Sequence, residues 1–394
     1  MDSISAVVLA AGEGTRLRPL TRHRPKPLLP AATTPILERV FDQLIDVGVT
    51  DITVVVGYGK NRVQAYFGPT YRNVPLTYAI QEQQLGSGHA LLEAESAVDG
   101  TILVVNGDQL VAKRIISDVL EGHTETATAT VGVLNNRDVE EYGGVLLENG
   151  DVTDVTENPE TDGNHRLNAG VYVFEPEIFD AIRSVGARAG EQSLPDGITE
   201  LLRSDAIVRG VVSDGLWVDA TYPWDLLDVS FDLFESGLVD GRRRESVATS
   251  ATVHESAVVR EPVIIAPDCE IGPGAVVGPY ACLGENVTVE SNAVVERSVV
   301  DMDARIGPNA TVVESVTGVG VVVGAGTTIP GGPGDVRVGD RVFQDERLGA
   351  LLADRVHDRG ANTYVPGTIV GPDSNVSAGT TVRGTLPEET EVRT

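Results

Sequence analysis

Arg16, Arg18, Arg22, Arg24 and Lys26 fall within residues 14–37, a stretch without a single Asp or Glu. The chain around them has 30 basic and 58 acidic side chains in 394 residues, a net charge of −28. A local reversal of charge this sharp suits a polyanion. Gly12 and Gly14 open the same stretch, and a backbone without Cβ lets N–H groups approach phosphate oxygens closely. The chemistry these residue types can do is polyphosphate binding. A second candidate follows the short apolar run Thr101 to Val105, in Asn106-Gly107-Asp108. A carboxylate at Asp108 suits Mg²⁺, a hard ion that combines one or two carboxylates with substrate phosphates.

Both stretches need a scaffold, and the flanking patterns supply one. Ile4 to Ala10 has strand composition, and Pro35 opens a helical pattern through Ile36, Leu37, Val40, Phe41, Leu44 and Ile45 that ends near Gly48. Ile52 to Val56 reads as the next strand, completing a βαβ unit and implying a parallel sheet. A helix over 61–67 and a strand from Leu76 to Gln81 continue the alternation. In open sheets of this kind ligands sit at the carboxyl ends of the strands, where the glycine loop and Asp108 both fall.

From Val253 onward the pattern changes. Val253, Val259, Ile265, Ile271, Val277, Leu283, Val289 and Val295 recur every six residues; the phase slips by one to Val300, Ile306 and Val312, and returns at Val370, Val376 and Val382. Neither a helix nor a strand has that period. Hexapeptide recurrence predicts a parallel β-helix whose stacked coils share an apolar core. The expected organisation is therefore a nucleotide-binding domain over 1–238, a polar connection over 239–250 and a β-helix over 251–394.

Composition narrows the class. Length allows two domains, and no apolar run reaches the length of a membrane span. The start of the chain lacks the pattern of a signal peptide, so a soluble, cytoplasmic protein is expected. Cys269 and Cys282 lie in the repeat region and read as small buried hydrophobes rather than metal ligands. Acidity spread along the chain with only three lysines (Lys26, Lys60 and Lys113) predicts a halophilic protein in a salt-rich cytoplasm. An anionic surface argues against nucleic acid as a partner.

The run Gly12-x-Gly-Thr-Arg-Leu-x-Pro-Leu-Thr-x-x-x-Pro-Lys-Pro-Leu28 resembles the signature of sugar-1-phosphate nucleotidylyltransferases, and further motifs extend the resemblance. It implies an α/β fold: a Rossmann-like nucleotidyltransferase domain with a mostly parallel mixed sheet, followed by a left-handed parallel β-helix of hexapeptide repeats. It implies a base pocket built from the backbone of Leu9, Ala10, Ala11 and Gly12, with Gly14 and Thr15 alongside and Gln81, Gly86 and Ser87 contributed by Gln81-Glu-Gln-Gln-Leu-Gly-Ser-Gly-His. On the sugar side it implies Gly143 of Tyr-Gly-Gly-Val, Glu157 of Glu-Asn-Pro, and Asn168 and Gly170 of Asn-Ala-Gly-Val-Tyr. Arg16 and Lys26 are the implied catalytic cations, holding phosphates and stabilising developing charge, and Asp219 of Trp-Val-Asp is the implied second Mg²⁺ ligand beside Asp108. His89 reads as a structural residue at a helix start.

The sequence departs from the family at Asn158, where a lysine usually touches the sugar phosphate. With its tail the whole chain resembles the archaeal bifunctional enzymes that also acetylate glucosamine-1-phosphate. Acetyl transfer needs a base, usually His, yet Pro308, Thr311, Gly331 and Arg347 stand where that family carries its acetyl-transfer residues. The tail is therefore expected to serve assembly or regulation, with trimerisation through the β-helix. The expected activity is transfer of a nucleotidyl group from UTP or dTTP to glucose-1-phosphate or N-acetylglucosamine-1-phosphate. The alternatives are a bifunctional enzyme and a non-catalytic binding subunit.

Overall fold

Short runs rich in Val, Ile and Ala suit the strands of a parallel sheet, covered on both faces where the run is continuous. In the computed structural model, which describes residues 4–135, 143–156, 165–186, 190–237 and 246–393, four such runs build the centre of a ten-stranded sheet. Ile4–Ala10 lies between Val49–Val56 and Ile102–Asn106, and Val74–Ile80 pairs with Val49–Val56, all parallel. Antiparallel Arg166–Phe174 then pairs with both Ile102–Asn106 and Ala129–Leu134, which makes the sheet mixed. The chain reverses strand order on either side of Ile4–Ala10, so its carboxyl end is a topological switch point.

Helices cover both faces. Ile36–Asp46 buries Ile36, Leu37, Val40, Phe41 and Leu44, the stripe its sequence spacing implies. Leu194–Arg203 starts on Ser193, whose hydroxyl accepts from the Asp196 N–H, with proline in its first turn.

Packing groups the chain into two units: Met1–Glu13, Pro25–Leu28 and Ile36–Val218 in the first; Gly14–Arg24, Leu29–Pro35 and Asp219–Thr394 in the second. Helix Asp225–Ser236 belongs to the second because Phe231 meets Tyr280 edge-on and Arg297 lies over the Phe231 ring.

The second unit is a parallel β-helix with three faces of eight, seven and seven strands. Thr252 faces Glu270 and Val276 faces Val294, eighteen residues on, so three hexapeptides make one coil. The slip in phase has a plain cause: Cys282 faces Val299 and Thr288 faces Arg305, a coil of seventeen. Val316 faces Leu351 because a hairpin, Gly334–Val338 and Arg341–Glu346, is inserted in that coil. Corners turn at Asp268, Asn286, Asn292, Asp303 and Asn309, all at positive φ near 60°, which short polar side chains tolerate best. The predicted six-residue positions from Ile265 to Val382 are in the buried core; Val259 packs against it partly buried, whereas Val253, on the first strand of its face, is exposed. After the hairpin the phase resumes at Leu352, earlier than the apolar pattern indicates, because Asp358 and Tyr364 occupy the next inward positions.

Candidate functional site

Four motifs of the first unit converge at the carboxyl ends of the central strands. Ile4–Ala10 ends in Ala11, whose carbonyl accepts from the Tyr58 N–H at 3.3 Å and from Gln84 Nε2 at 3.2 Å. Leu9, Ala10 and Ala11 are buried. Gly12 is exposed, and a Cβ built on it would meet nothing within 4 Å. The protein itself does not require glycine there; the space beside it is open.

Gln81 follows Val74–Ile80 and is 4% exposed. Its Nε2 donates to the Gly86 carbonyl at 3.0 Å and lies 3.1 Å from His89 Nδ1. His89 is thus a partner of the amide, which sequence spacing alone did not reveal; the eight-residue separation bridges a loop and the first turn of a helix. Gly86 sits at φ +99°, and a Cβ there would lie 2.5 Å from the Gln192 carbonyl oxygen. Ser87 Oγ accepts from the Leu194 N–H at 2.9 Å. These bonds leave Gln81 presented on a rigid platform.

Lys26 is 7% exposed, and its Nζ lies 2.9 Å from Asp108 Oδ2. The lysine sits in a short 3₁₀ turn, Lys26–Leu28, and Asp108 directly follows Ile102–Asn106. A buried ammonium survives only beside a counter-charge. Next to this pair, Asn168 Oδ1 accepts from the Gly170 N–H at 3.1 Å and the Asn168 N–H donates to the Gly143 carbonyl at 3.2 Å. Gly170 is at φ +66°, and a Cβ would approach Gln109 Oε1 to 2.3 Å and Asn106 Nδ2 to 2.5 Å. Gly143, Asn168 and Gly170, expected from the sequence to lie on the sugar side, belong to one hydrogen-bonded group. Glu157, Asn158 and Tyr142 lie outside the described residues.

In the second unit, Asp219 Oδ2 accepts from Thr221 Oγ1 at 2.5 Å. Asp225 accepts from the Thr221 and Tyr222 N–H groups at 2.8 and 2.6 Å. Burial pushes the Asp225 carboxyl up to about 7 against those two bonds, and the Asp219 and Asp228 charges add to the rise. No group of three or more His, Cys, Asp or Glu poised to hold a metal occurs among the described residues. Asp108 and Asp219 are each hard oxygen donors, the class of group Mg²⁺ takes together with waters and substrate phosphates.

The basic stretch needs a correction. Its five cations do not form one phosphate cluster. Arg16 is exposed. Arg22 makes a bidentate pair with Glu388, at 2.8 and 2.7 Å, and Arg24 Nη2 lies 2.6 Å from Asp301 Oδ2. Arg18 and Arg22 also border a cavity of about 380 Å³, with Thr15, Arg337, Leu386 and Glu388 among its other walls. Charge counting could not assign these arginines because their partners lie some 280 to 370 positions away, in another structural class.

A switch-point sheet with a buried lysine paired to a part-exposed aspartate, and a buried amide, defines a nucleotide-handling α/β protein joined to a β-helix. Residues 5–236 match the nucleotidyl transferase family model, and 259–386 match the GMPPB C-terminal domain. The chain belongs to the nucleotidyl transferase family. It is 37% identical over 227 residues to the UTP–glucose-1-phosphate uridylyltransferase AglF of Haloferax volcanii, covering 56% of this chain and 93% of AglF. It is 33% identical to the bifunctional protein GlmU of Methanocaldococcus jannaschii, over 64% of this chain but only 60% of GlmU. Among solved structures, a UDP-glucose pyrophosphorylase complexed with UDP-glucose superposes with TM-score 0.54 at 21% identity, covering 59% of this chain and 99% of that one. This last likeness concerns the fold.

Proposed function

We propose that this chain makes an NDP-sugar, UDP-glucose in the first instance, from UTP and glucose-1-phosphate. The sugar-phosphate oxygen attacks the α-phosphorus of the triphosphate; a new P–O bond forms there as the bond to pyrophosphate breaks. Catalysis of such a transfer is mainly positioning and neutralisation of charge. Lys26 and Arg16 face the phosphates. Gln81 and Gly86, with Leu9 to Gly12, Gly14, Thr15 and Ser87, hold the nucleoside, the amide of Gln81 being steadied by His89. Gly143, Glu157, Asn168 and Gly170 hold the sugar. Mg²⁺ carried by Asp108 and Asp219 would supply further countercharge to the phosphates.

The observation that carries the reading is the Lys26–Asp108 pair at the carboxyl end of the central strands. Each charge faces the other, and a metal–triphosphate complex would replace each partner with one of the same sign. The AglF relative supports the choice of uracil and glucose. Pyrophosphate release from UTP or dTTP, each with glucose-1-phosphate or N-acetylglucosamine-1-phosphate, tests it. UTP with glucose-1-phosphate is expected to be fastest, and absence of turnover with all four pairs would reject the activity. Pro308, Thr311 and Gly331 stand where the acetylating enzymes carry their transfer residues, and an assay with acetyl-CoA and glucosamine-1-phosphate is expected to show none. The acid excess supports a salt-rich cytoplasm, with a melting temperature that rises from low to molar KCl.

A further inference from the structure

One corner of the β-helix carries an acid after four of its stacked strands. Asp301 comes one residue after Val299–Val300, Asp354 two after Ala350–Leu352, Asp373 three after Thr368–Val370 and Glu388 two after Thr385–Leu386, so the acids share a corner rather than one register position. These strands belong to one face, which also includes Val316–Thr317. Against that column lies a consecutive basic tripeptide in the middle of the glycine-loop signature. Arg24 pairs with Asp301, His23 Nε2 lies 3.7 Å from Asp373, and Arg22 grips Glu388 through both guanidinium edges. The tripeptide runs down the column as the acids run up it.

The deepest of these pairs is not a surface decoration. The side chains of Arg24 and Asp301 are 12% and 5% exposed. Burial by itself would lower the Arg24 pKa, yet the Asp301 and Asp354 carboxylates outweigh that and raise it. Asp301 Oδ1 is fixed by the Met302 N–H at 2.8 Å. Removing one member of a buried pair leaves the other charge uncompensated, so the partners hold each other in place. The rest of the segment is equally tied: Leu17 and Leu20 are 1% exposed, and Thr21 Oγ1 donates to the Gly14 carbonyl at 2.7 Å. Thr15, Arg16 and Leu17 form the 3₁₀ turn on the same stretch.

We infer that the β-helix is a positioning element for nucleotidyl transfer: its acidic column, through Asp301 above all, sets the conformation of Gly14, Thr15 and Arg16. This rests on the function proposed above. It assigns a task to a C-terminal domain that sequence reading left with assembly or regulation, and it makes Arg22, His23 and Arg24 positioning residues rather than phosphate ligands.

The experiment uses the full chain. Asp301→Asn keeps the shape of the side chain and removes its charge. Its kcat should fall by on the order of 10–10²-fold, since small misplacements carry costs of that size, while KM for glucose-1-phosphate stays within about twofold. A double variant of the exposed rim, Asp373→Asn with Glu388→Gln, should give a smaller kcat loss and serves if the buried change prevents folding. In both, hydrogen exchange of 14–24 should speed up while that of Ile4–Ala10 and Ile102–Asn106 stays as in the wild type. Wild-type kcat in a folded Asp301→Asn variant, or unaltered exchange across 14–24, overturns the inference. If the wild type turns over none of the sugar pairs, the proposed function fails and the exchange measurement still decides the clasp.

Discussion

Each unit buries polar side chains, and the two sets differ in what they do with them. In the first unit Lys26, Gln81 and Asn168 are at most 8% exposed and cluster where parallel strands end beside open space at Gly12. In the second, Asp358 and Tyr364 sit at inward positions of the solenoid. There Asp358 accepts from the Gly324 and Gly360 N–H groups, from Thr327 Oγ1 and, at 2.8 Å, from the Tyr364 hydroxyl. Burial and the Asp358 charge hold the Tyr364 hydroxyl well above its ordinary pKa, so it stays a donor. Burial of a polar group therefore does not mark a site. A closed partner set marks structure; a partner set at a strand end next to open space marks chemistry.

That contrast can be broken by substitution, and the largest effect should come from Lys26→Ala. Loss of one preorganised charge is expected to lower kcat by on the order of 10²–10³-fold with a small change in melting temperature. Steady-state pyrophosphate release checks it, and a variant with near-normal kcat would remove Lys26 from the site. Gly86→Ala comes next. A Cβ 2.5 Å from the Gln192 oxygen must displace backbone, so KM for UTP should rise on the order of tenfold, a cost in the range of one strained residue. Activity at saturating UTP should recover.

Tyr364→Phe probes the other side of the comparison. Asp358 then loses one of its four donors, and denaturant unfolding should report a loss of roughly 1–3 kcal/mol. At 25 °C kcat should stay as in the wild type; a catalytic loss would undo the distinction between the two networks. The smallest effect is expected from acid. Hydrogen bonds from Arg355 and Arg22 hold the Asp373 and Glu388 carboxyls below their ordinary values of 3.8 and 4.5, with His23 near both and Arg18 near Glu388. Depressed acids add stability that is complete above those ordinary values and is lost as pH falls through the lower folded ones. Exchange of 14–24 should therefore accelerate only below about pH 4. Exchange that stays unchanged down to about pH 3 would show that these pairs do not hold the segment.

Much of the architecture was legible because it is periodic. Apolar runs named the central strands to within a few residues, and six-residue recurrence named the β-helix. The phase slip at Val300 was visible as a missing residue, but the early return at Leu352 was hidden, since Asp358 and Tyr364 break an apolar pattern while keeping its inward geometry. In the site, Lys26, Asp108, Gln81, Gly86, Asn168 and Gly170 stood out by motif. His89 did not, because its meaning is a contact with Gln81 that only the loop makes.

What the sequence determined by itself is the set of local instructions: where the strands and coils lie, where the backbone must be glycine, and where charge reverses. Those follow from spacing along the chain, which side-chain sterics and burial translate directly into structure. Which cation meets which anion was decided by the tertiary structure alone. Arg24 and Lys26 are two positions apart and chemically alike, yet one is buried against Asp301 and the other against Asp108. Electrostatic partnership depends on distance in space, and no period or motif encodes that distance.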